Sequence, residues 1–164
     1  MKILETFLEK HNACLDGFEF AKDLTLKQFL ETCERGDWIL WLFARTNPKS
    51  LRELTLAKAQ CANTVRHLMT DKRSVEAVDV AIAFGEGRAT REELNAAAAA
   101  AYVAVADAYS AVADAAYVAA AGYAADVSAD AAYVAAAARK QNQKQTADIC
   151  RKFLPIEIWD QSQF

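Results

Sequence analysis

The sequence predicts an all-α protein: a single-domain helical bundle of about 6–8 helices over residues 1–164, with two long Ala-rich antiparallel helices toward the C-terminus. Three observations predict it. Apolar residues recur at helical spacing along the chain, and only two prolines and five glycines interrupt them. From Ala96 to Ala138, 25 of 43 residues are alanine, the best helix former because it loses no side-chain entropy and buries no polar group. Alanine has only a methyl group to remove from water, so this stretch cannot build a core alone. It must pack against the larger side chains of the first ninety residues.

Taken in order, Ile3, Leu4, Phe7 and Leu8 follow the i, i+3, i+4 spacing of a first helix. A second element is expected from near Asn12, with Leu15, Phe18, Phe20 and Ala21 as its apolar residues and Gly17 keeping it short. Thr25 is placed to cap a helix over 26–35 that Gly36 closes. Asp37 is then the expected cap of WILWLFART, which Asn47-Pro48 ends, since the residue before proline avoids the helical region. Two capping boxes follow. Ser50-Leu-Arg-Glu53 opens a helix to about Met69, and Thr90-Arg-Glu-Glu93 opens the Ala-rich run. Between them a helix from about Arg73 carries Val75, Val78, Ile82 and Phe84 and stops at Gly85-Glu-Gly87. The last helix is expected to reach Phe153, and the tail to dock through Ile156, Ile158 and Trp159.

One helix from Arg91 to Phe153 would be about 95 Å long at 1.5 Å per residue. A break is therefore expected between Gly122 and Ser128, making a helical hairpin within about 91–153. Its small residues would let the axes approach closely. The AAYV units starting at Ala100, Ala115 and Ala131 are unevenly spaced, unlike the fixed period of a solenoid. A close-packed Ala face can pair within one chain or between two, so a homodimer is among its arrangements.

A formal charge of −3 and pI near 5.4 argue against direct nucleic-acid binding, which calls for a basic surplus or stripe. Four Asp residues interrupt the Ala-rich stretch, each costing about 2.5–3.5 kcal/mol at a membrane helix centre, so no membrane span is expected. MKILETFLEKHN has acidic residues where a signal peptide needs an unbroken apolar run. The expected location is the cytoplasm, with the scattered Cys14, Cys33, Cys61 and Cys150 as buried free thiols. With only His11 and His67 beside them, no zinc-ligand spacing exists. The Glu-x-x-His pairs of di-metal bundles are missing too, so no metal or cofactor is expected.

Two groups of residues are candidates for function. The first is an acidic and aromatic helical face. Leu94, Val105 and Val112 fall within about 20° of one another around a helix from Arg91, with Asp107 and Asp114 opposite. Asp126 and Asp130, at i, i+4, share a side with Tyr123 and Tyr133. Such a face is either simply solvated or read by a basic protein partner. The second is a pocket in Asp37-Trp38-Ile-Leu-Trp41 with Arg45. Trp38, Trp41 and Arg45 share one face, either as core with a guanidinium on an indole or as a pocket that recognises a carboxylate or phosphate. Arg66 is expected to join Trp38, Trp41 and Arg45 in lining this pocket and, if it faces inward, needs an acid such as Asp16, Glu19 or Asp37. No G-x-S-x-G, Gly-rich phosphate loop or H-E-x-x-H occurs. Cys14 near His11, or Cys61 near His67, is an unspecific dyad, and the chain is not expected to be an enzyme.

The stretches NACLDGFEF (12–20), CERGDWILWL (33–42), GEGRATREEL (85–94) and the Ala/Tyr/Asp tract together resemble a family. It is the Ala-rich, all-helical immunity-protein family of bacterial polymorphic toxin systems, also found in phages. The likeness covers nearly the whole chain, with Asp37, Trp38 and Trp41 among its signature positions. It implies a protein that binds and blocks another; the acidic face and net acidity add the expectation that this partner, a toxin, a nuclease or a defence protein, has a basic surface.

The leading expectation is thus a non-catalytic inhibitor acting by stoichiometric occlusion. The alternative is a protein that binds or sequesters a nucleotide or metabolite in the Trp/Arg pocket. Ice binding, which some Ala-rich helices perform, fits poorly: the tract has no threonine and its tyrosines would roughen the face.

Overall fold

The computed structural model describes residues 4–64, 66–103 and 128–164, without the side chains of 68, 128–137 and 139. Eight α-helices and no strand occur among the described residues: α1 (Glu5–Lys10), α2 (Leu15–Ala21), α3 (Leu26–Thr32), α4 (Gly36–Thr46), α5 (Leu51–Asn63), α6 (Lys72–Gly85), α7 (described over 91–103) and α8 (Ser128–Phe153). Short 3-10 turns follow α5 and close the chain at Ile156–Ile158 and Gln161–Gln163. The predicted all-α bundle is the observed class. The break between Gly122 and Ser128, and with it the expected antiparallel Ala-rich pairing, lies outside the described residues.

The core is built by the larger apolar residues of the first half. Leu4, Phe7 and Leu8 of the α1 region, Leu26, Phe29 and Leu30 of α3, and Ile39, Leu42 and Phe43 of α4 are all buried. The small residues Ala147 and Cys150 of α8 and Ala57 of α5 complete the same cluster. α5 lies along both α6 and α8, and α4 also packs on α8. The C-terminal half of α8 is therefore the element against which the N-terminal helices assemble. Small residues let it come close.

Local chemistry sets most helix starts. Thr25 Oγ1 accepts from the Gln28 amide while Gln28 Oε1 accepts from the Thr25 amide, a complete capping box. The Thr90–Glu93 box forms as expected, with Glu93 accepting from the Thr90 amide at 2.7 Å and Thr90 Oγ1 accepting from the Glu93 amide at 3.2 Å. Asp71 caps α6 by accepting from the Arg73 amide. Ser50 precedes α5 as predicted, but its side chain makes no capping bond, so the expected Ser50–Glu53 box is not formed.

Four boundaries differ from expectation, the first being α5, which stops at Asn63 instead of near Met69. Asn12 takes a left-handed φ of 51°, which ends the α1 turn and delays α2 to Leu15. Leu15 is consequently 74% exposed instead of packed. Gly36, expected to close α3, is the first residue of α4. α3 ends at Thr32, followed by Cys33 in extended geometry. Arg151 of α8 donates to the carbonyls of Leu30 and Cys33, satisfying oxygens that a helix C-terminus leaves free. Gly36 is needed for proximity: a Cβ there would stand 2.5 Å from Thr146 Oγ1 and 2.7 Å from the Thr146 carbonyl carbon.

The tail docks on α4. Trp159 is buried and donates from Nε1 to the Leu154 carbonyl at 3.0 Å. Asn47, also buried, donates from Nδ2 to the Ile158 carbonyl at 2.7 Å and accepts from Thr46 Oγ1 at 2.7 Å. Ile158 itself stays 37% exposed, so the indole anchors the tail. No helix among the described residues is long and apolar enough to cross a membrane.

Candidate functional site: an aromatic cleft between α2 and α4

A cavity of about 360 Å³ opens between α2 and α4. Cys14, Gly17 and Ala21 line it from the α2 side, and Arg35, Asp37, Trp38, Trp41 and Leu42 from the α4 side, with Leu8, Ala13 and Phe29 completing the walls. The first turn of α4 explains the placement. Trp38 and Trp41, three residues apart, project to one side of the helix, while Ile39, Leu42 and Phe43 turn into the core. Gly17 faces the Trp38 ring across the cleft: a Cβ there would meet the ring at 3.7 Å, an ordinary contact, and would crowd only Cys14 Sγ of its own helix start, at 3.1 Å.

The cleft carries an ion pair at its edge. Arg35 Nε donates to Asp37 Oδ1 at 2.8 Å and Nη2 to Oδ2 at 2.6 Å, a two-pronged contact. The same guanidinium lies 4.5 Å from the Trp38 ring centre. Its hydrogen bonds hold the Asp37 carboxyl below the usual carboxylate range, against a smaller opposing effect of burial. The pair is internally neutral. It offers directional polar groups without net charge.

Asp37 is therefore not the expected N-cap. Arg35 occupies that position with no side-chain capping bond, and the Asp37 carboxylate turns back to it. Phe20 of α2 extends the aromatic surface, its ring 5.6 Å from Trp38 and 6.2 Å from Phe29. Phe20 is 39% exposed.

Of the predicted pocket residues, Asp37, Trp38 and Trp41 come together. Arg45 and Arg66 do not join the cleft lining. Arg45 lies over the Trp41 ring at 4.0 Å and donates to the Trp41 carbonyl, one turn beyond the lining. Arg66 pairs with Asp79 of α6 through two bonds, at 2.5 and 2.7 Å, and none of the acids proposed for it is its partner. Its place in the cleft is taken by Arg35, which the sequence reading missed. The usable signal was Arg35 two residues before Asp37 and three before Trp38.

Asp107, Asp114, Tyr123 and Asp126 of the expected acidic face lie outside the described residues, as do the side chains of Asp130 and Tyr133 on α8. Cys33 and Cys150 are buried as expected, but Cys14 is exposed and Cys61 only part-buried. Cys61 Sγ lies 3.8 Å from Cys150 Sγ. His11 stacks against Phe7 with ring centres 4.2 Å apart. Burial, followed by the charges of Lys10 and Arg45, lowers its imidazole pKa. Among the described residues no group of three His, Cys, Asp or Glu side chains is arranged to hold a metal ion. No protein-family model, curated protein or solved structure matches this chain.

Proposed function

We propose that this chain is a binding protein that inhibits a protein partner by stoichiometric occlusion, as an immunity protein against a bacterial toxin or a phage inhibitor of a host defence protein or nuclease. The observation that carries the reading is the aromatic cleft. Trp38, Trp41 and a paired Arg35 are the residue types that dominate binding energy at protein interfaces, and Leu15 and Phe20 leave apolar surface exposed on the adjoining α2. The resemblance in CERGDWILWL and the Ala/Tyr/Asp tract supplies the partner class. The chemistry of the cleft supports binding over catalysis, since Arg35 and Asp37 are committed to each other instead of to proton transfer.

The test is co-expression with a panel of toxin domains from polymorphic toxin systems, scoring survival and a one-to-one complex. Cleft variants Trp38→Ala and Trp41→Ala are compared with charge reversal at Asp107, Asp114, Asp126 and Asp130. Protection that disappears with the cleft variants places the contact on α2 and α4, and protection lost with charge reversal places it on the acidic face. Failure of the unaltered chain to protect or to form the complex sinks the reading.

A second reading is favoured by the cavity itself. Its volume lies within the ordinary range of small-molecule sites, about 300–1,000 Å³, and its apolar walls with a few polar groups match their usual lining. A nucleotide or metabolite stacked on Trp38 would then be bound or sequestered. Ligand at 100 times its dissociation constant stabilises the fold by about 2.7 kcal/mol. A thermal-shift screen with nucleotides that gives no displacement of the midpoint removes this alternative.

A further inference from the structure

We propose that Cys61 and Cys150 form an oxidative modification site, at which a hydroperoxide joins α5 to α8 through a disulfide. The two sulfurs sit 3.8 Å apart on different helices, about 1.8 Å beyond the 2.05 Å of a disulfide bond. Neither thiol is held by a strong competing bond: Cys61 Sγ points toward the Thr146 carbonyl at 3.7 Å and Cys150 Sγ toward the Gly36 carbonyl at 3.5 Å. They also differ in access, Cys61 being part-buried and Cys150 fully buried.

That asymmetry divides the chemistry. The contact between the thiols favours thiolate on Cys61 and keeps the proton on Cys150, whose burial pushes in the same direction. The accessible Cys61 is then the attacking sulfur. It forms an S–O bond to the peroxide as the O–O bond breaks, giving a sulfenic acid and, after protonation, water or an alcohol. Cys150 sulfur attacks that sulfenic sulfur. The S–S bond forms, the S–O bond breaks, and the departing hydroxide takes the Cys150 proton and leaves as water. Two electrons pass from the two thiols to the peroxide.

The other cysteines are poorly placed to compete. Cys33 is fully buried with its thiol pushed up to about 11, and Cys14 lines the cleft, which neither Cys61 nor Cys150 does. A Cys61–Cys150 bond would close the chain between positions 89 residues apart in sequence and hold α8 on the body of the bundle. Such a constraint acts chiefly by removing conformations from the unfolded chain.

The experiment treats the native, reduced chain with hydrogen peroxide, blocks the remaining thiols by alkylation and maps linked peptides by mass spectrometry. The expected product is an intramolecular 61–150 disulfide, reversed by dithiothreitol and absent in Cys61→Ser and Cys150→Ala. The oxidised chain should melt about 10 °C above the reduced chain. The unaltered chain carries the test, so it does not depend on a variant folding. Over-oxidation of Cys61 with Cys150 still free, a disulfide between other cysteines, or a 61–150 bond formed only in urea overturns the proposal.

Discussion

The Trp159 indole stands edge-on to the Phe43 ring, with centroids 5.0 Å apart and planes at 80°. This contact joins the tail to the centre of α4, the helix that also presents Trp38 and Trp41 to the cleft. Edge-to-face rings gain about 0.5–1.5 kcal/mol beyond the area they bury. Trp159→Ala should cost about 3–5 kcal/mol, measured by urea unfolding. A loss under 1 kcal/mol would mean that the tail is not part of the cooperative unit.

Arg151 gives a second long-range prediction. Its guanidinium bridges the Leu30 and Cys33 carbonyls and Asp148, so Arg151→Ala leaves the end of α3 short of donors. The expected cost is about 1–3 kcal/mol, the range for stranding buried polar groups. Arg151→Lys should recover only part of it, because one ammonium cannot copy the fork. Equal stability of the two variants would contradict this capping role.

Gly36 and Thr146 test the packing of α4 on α8. Gly36→Ala would place a methyl group 2.5–2.7 Å from Thr146 atoms, and overpacking of this kind costs about 1–3 kcal/mol. Thr146→Ala removes the Oγ1 contact but leaves those to the carbonyl carbon and Cβ, each at 2.7 Å. A double-mutant cycle should therefore show partial rescue. Strict additivity would mean that the helices separate freely here.

These contacts mark where reading the sequence works and where it stops. The Thr25 and Thr90 caps were legible because donor and acceptor sit within one turn. The helical class was legible because periodicity is local. Gly36 was misread because a glycine after a helix fits both a helix stop and a close approach, and the deciding partner is Thr146 on α8. Arg66 stands away from the pocket because Asp79, thirteen residues on, holds it through two hydrogen bonds, a pairing that no local spacing reveals. Arg35 was overlooked although its partners are adjacent in sequence, since only the backbone at the start of α4 turns its guanidinium over Trp38. The two indoles were found from spacing alone. The α2 helix is legible too, but not that it packs across from them.

The Arg35–Asp37 pair predicts an acid-side dependence. Asp37 has its carboxyl lowered in the folded chain by the Arg35 hydrogen bonds, so its contribution is present above the unfolded value and is lost as pH falls through the folded one. Asp71, Asp79, Glu93 and Asp160 are shifted the same way by their own hydrogen bonds. Stability should thus decline from about pH 4 downward. Asp37→Asn should flatten that limb while costing less than about 1 kcal/mol at neutral pH, because the pair is largely exposed. An unchanged acid limb in the variant would show that the pair makes no titratable contribution.

Thiol reactivity distinguishes the four cysteines. Alkylation requires thiolate and access together. Cys14 is exposed at the cleft mouth and should react first with iodoacetamide at pH 8. Cys61 follows, part-buried but with its pKa lowered by the Cys150 contact. Cys33 is fully buried and its thiol is pushed up to about 11, leaving roughly one molecule in a thousand as thiolate at that pH. Cys150 is fully buried and shifted in the same direction. Cys33 and Cys150 should consequently react only as the bundle opens, at a rate that rises with urea, while Cys14 reacts at a rate nearly independent of it. Peptide mapping over time separates the four. Rapid labelling of Cys33 or Cys150 without denaturant would mean that α4 and α8 part readily, and the close contact at Gly36 would then be transient in solution.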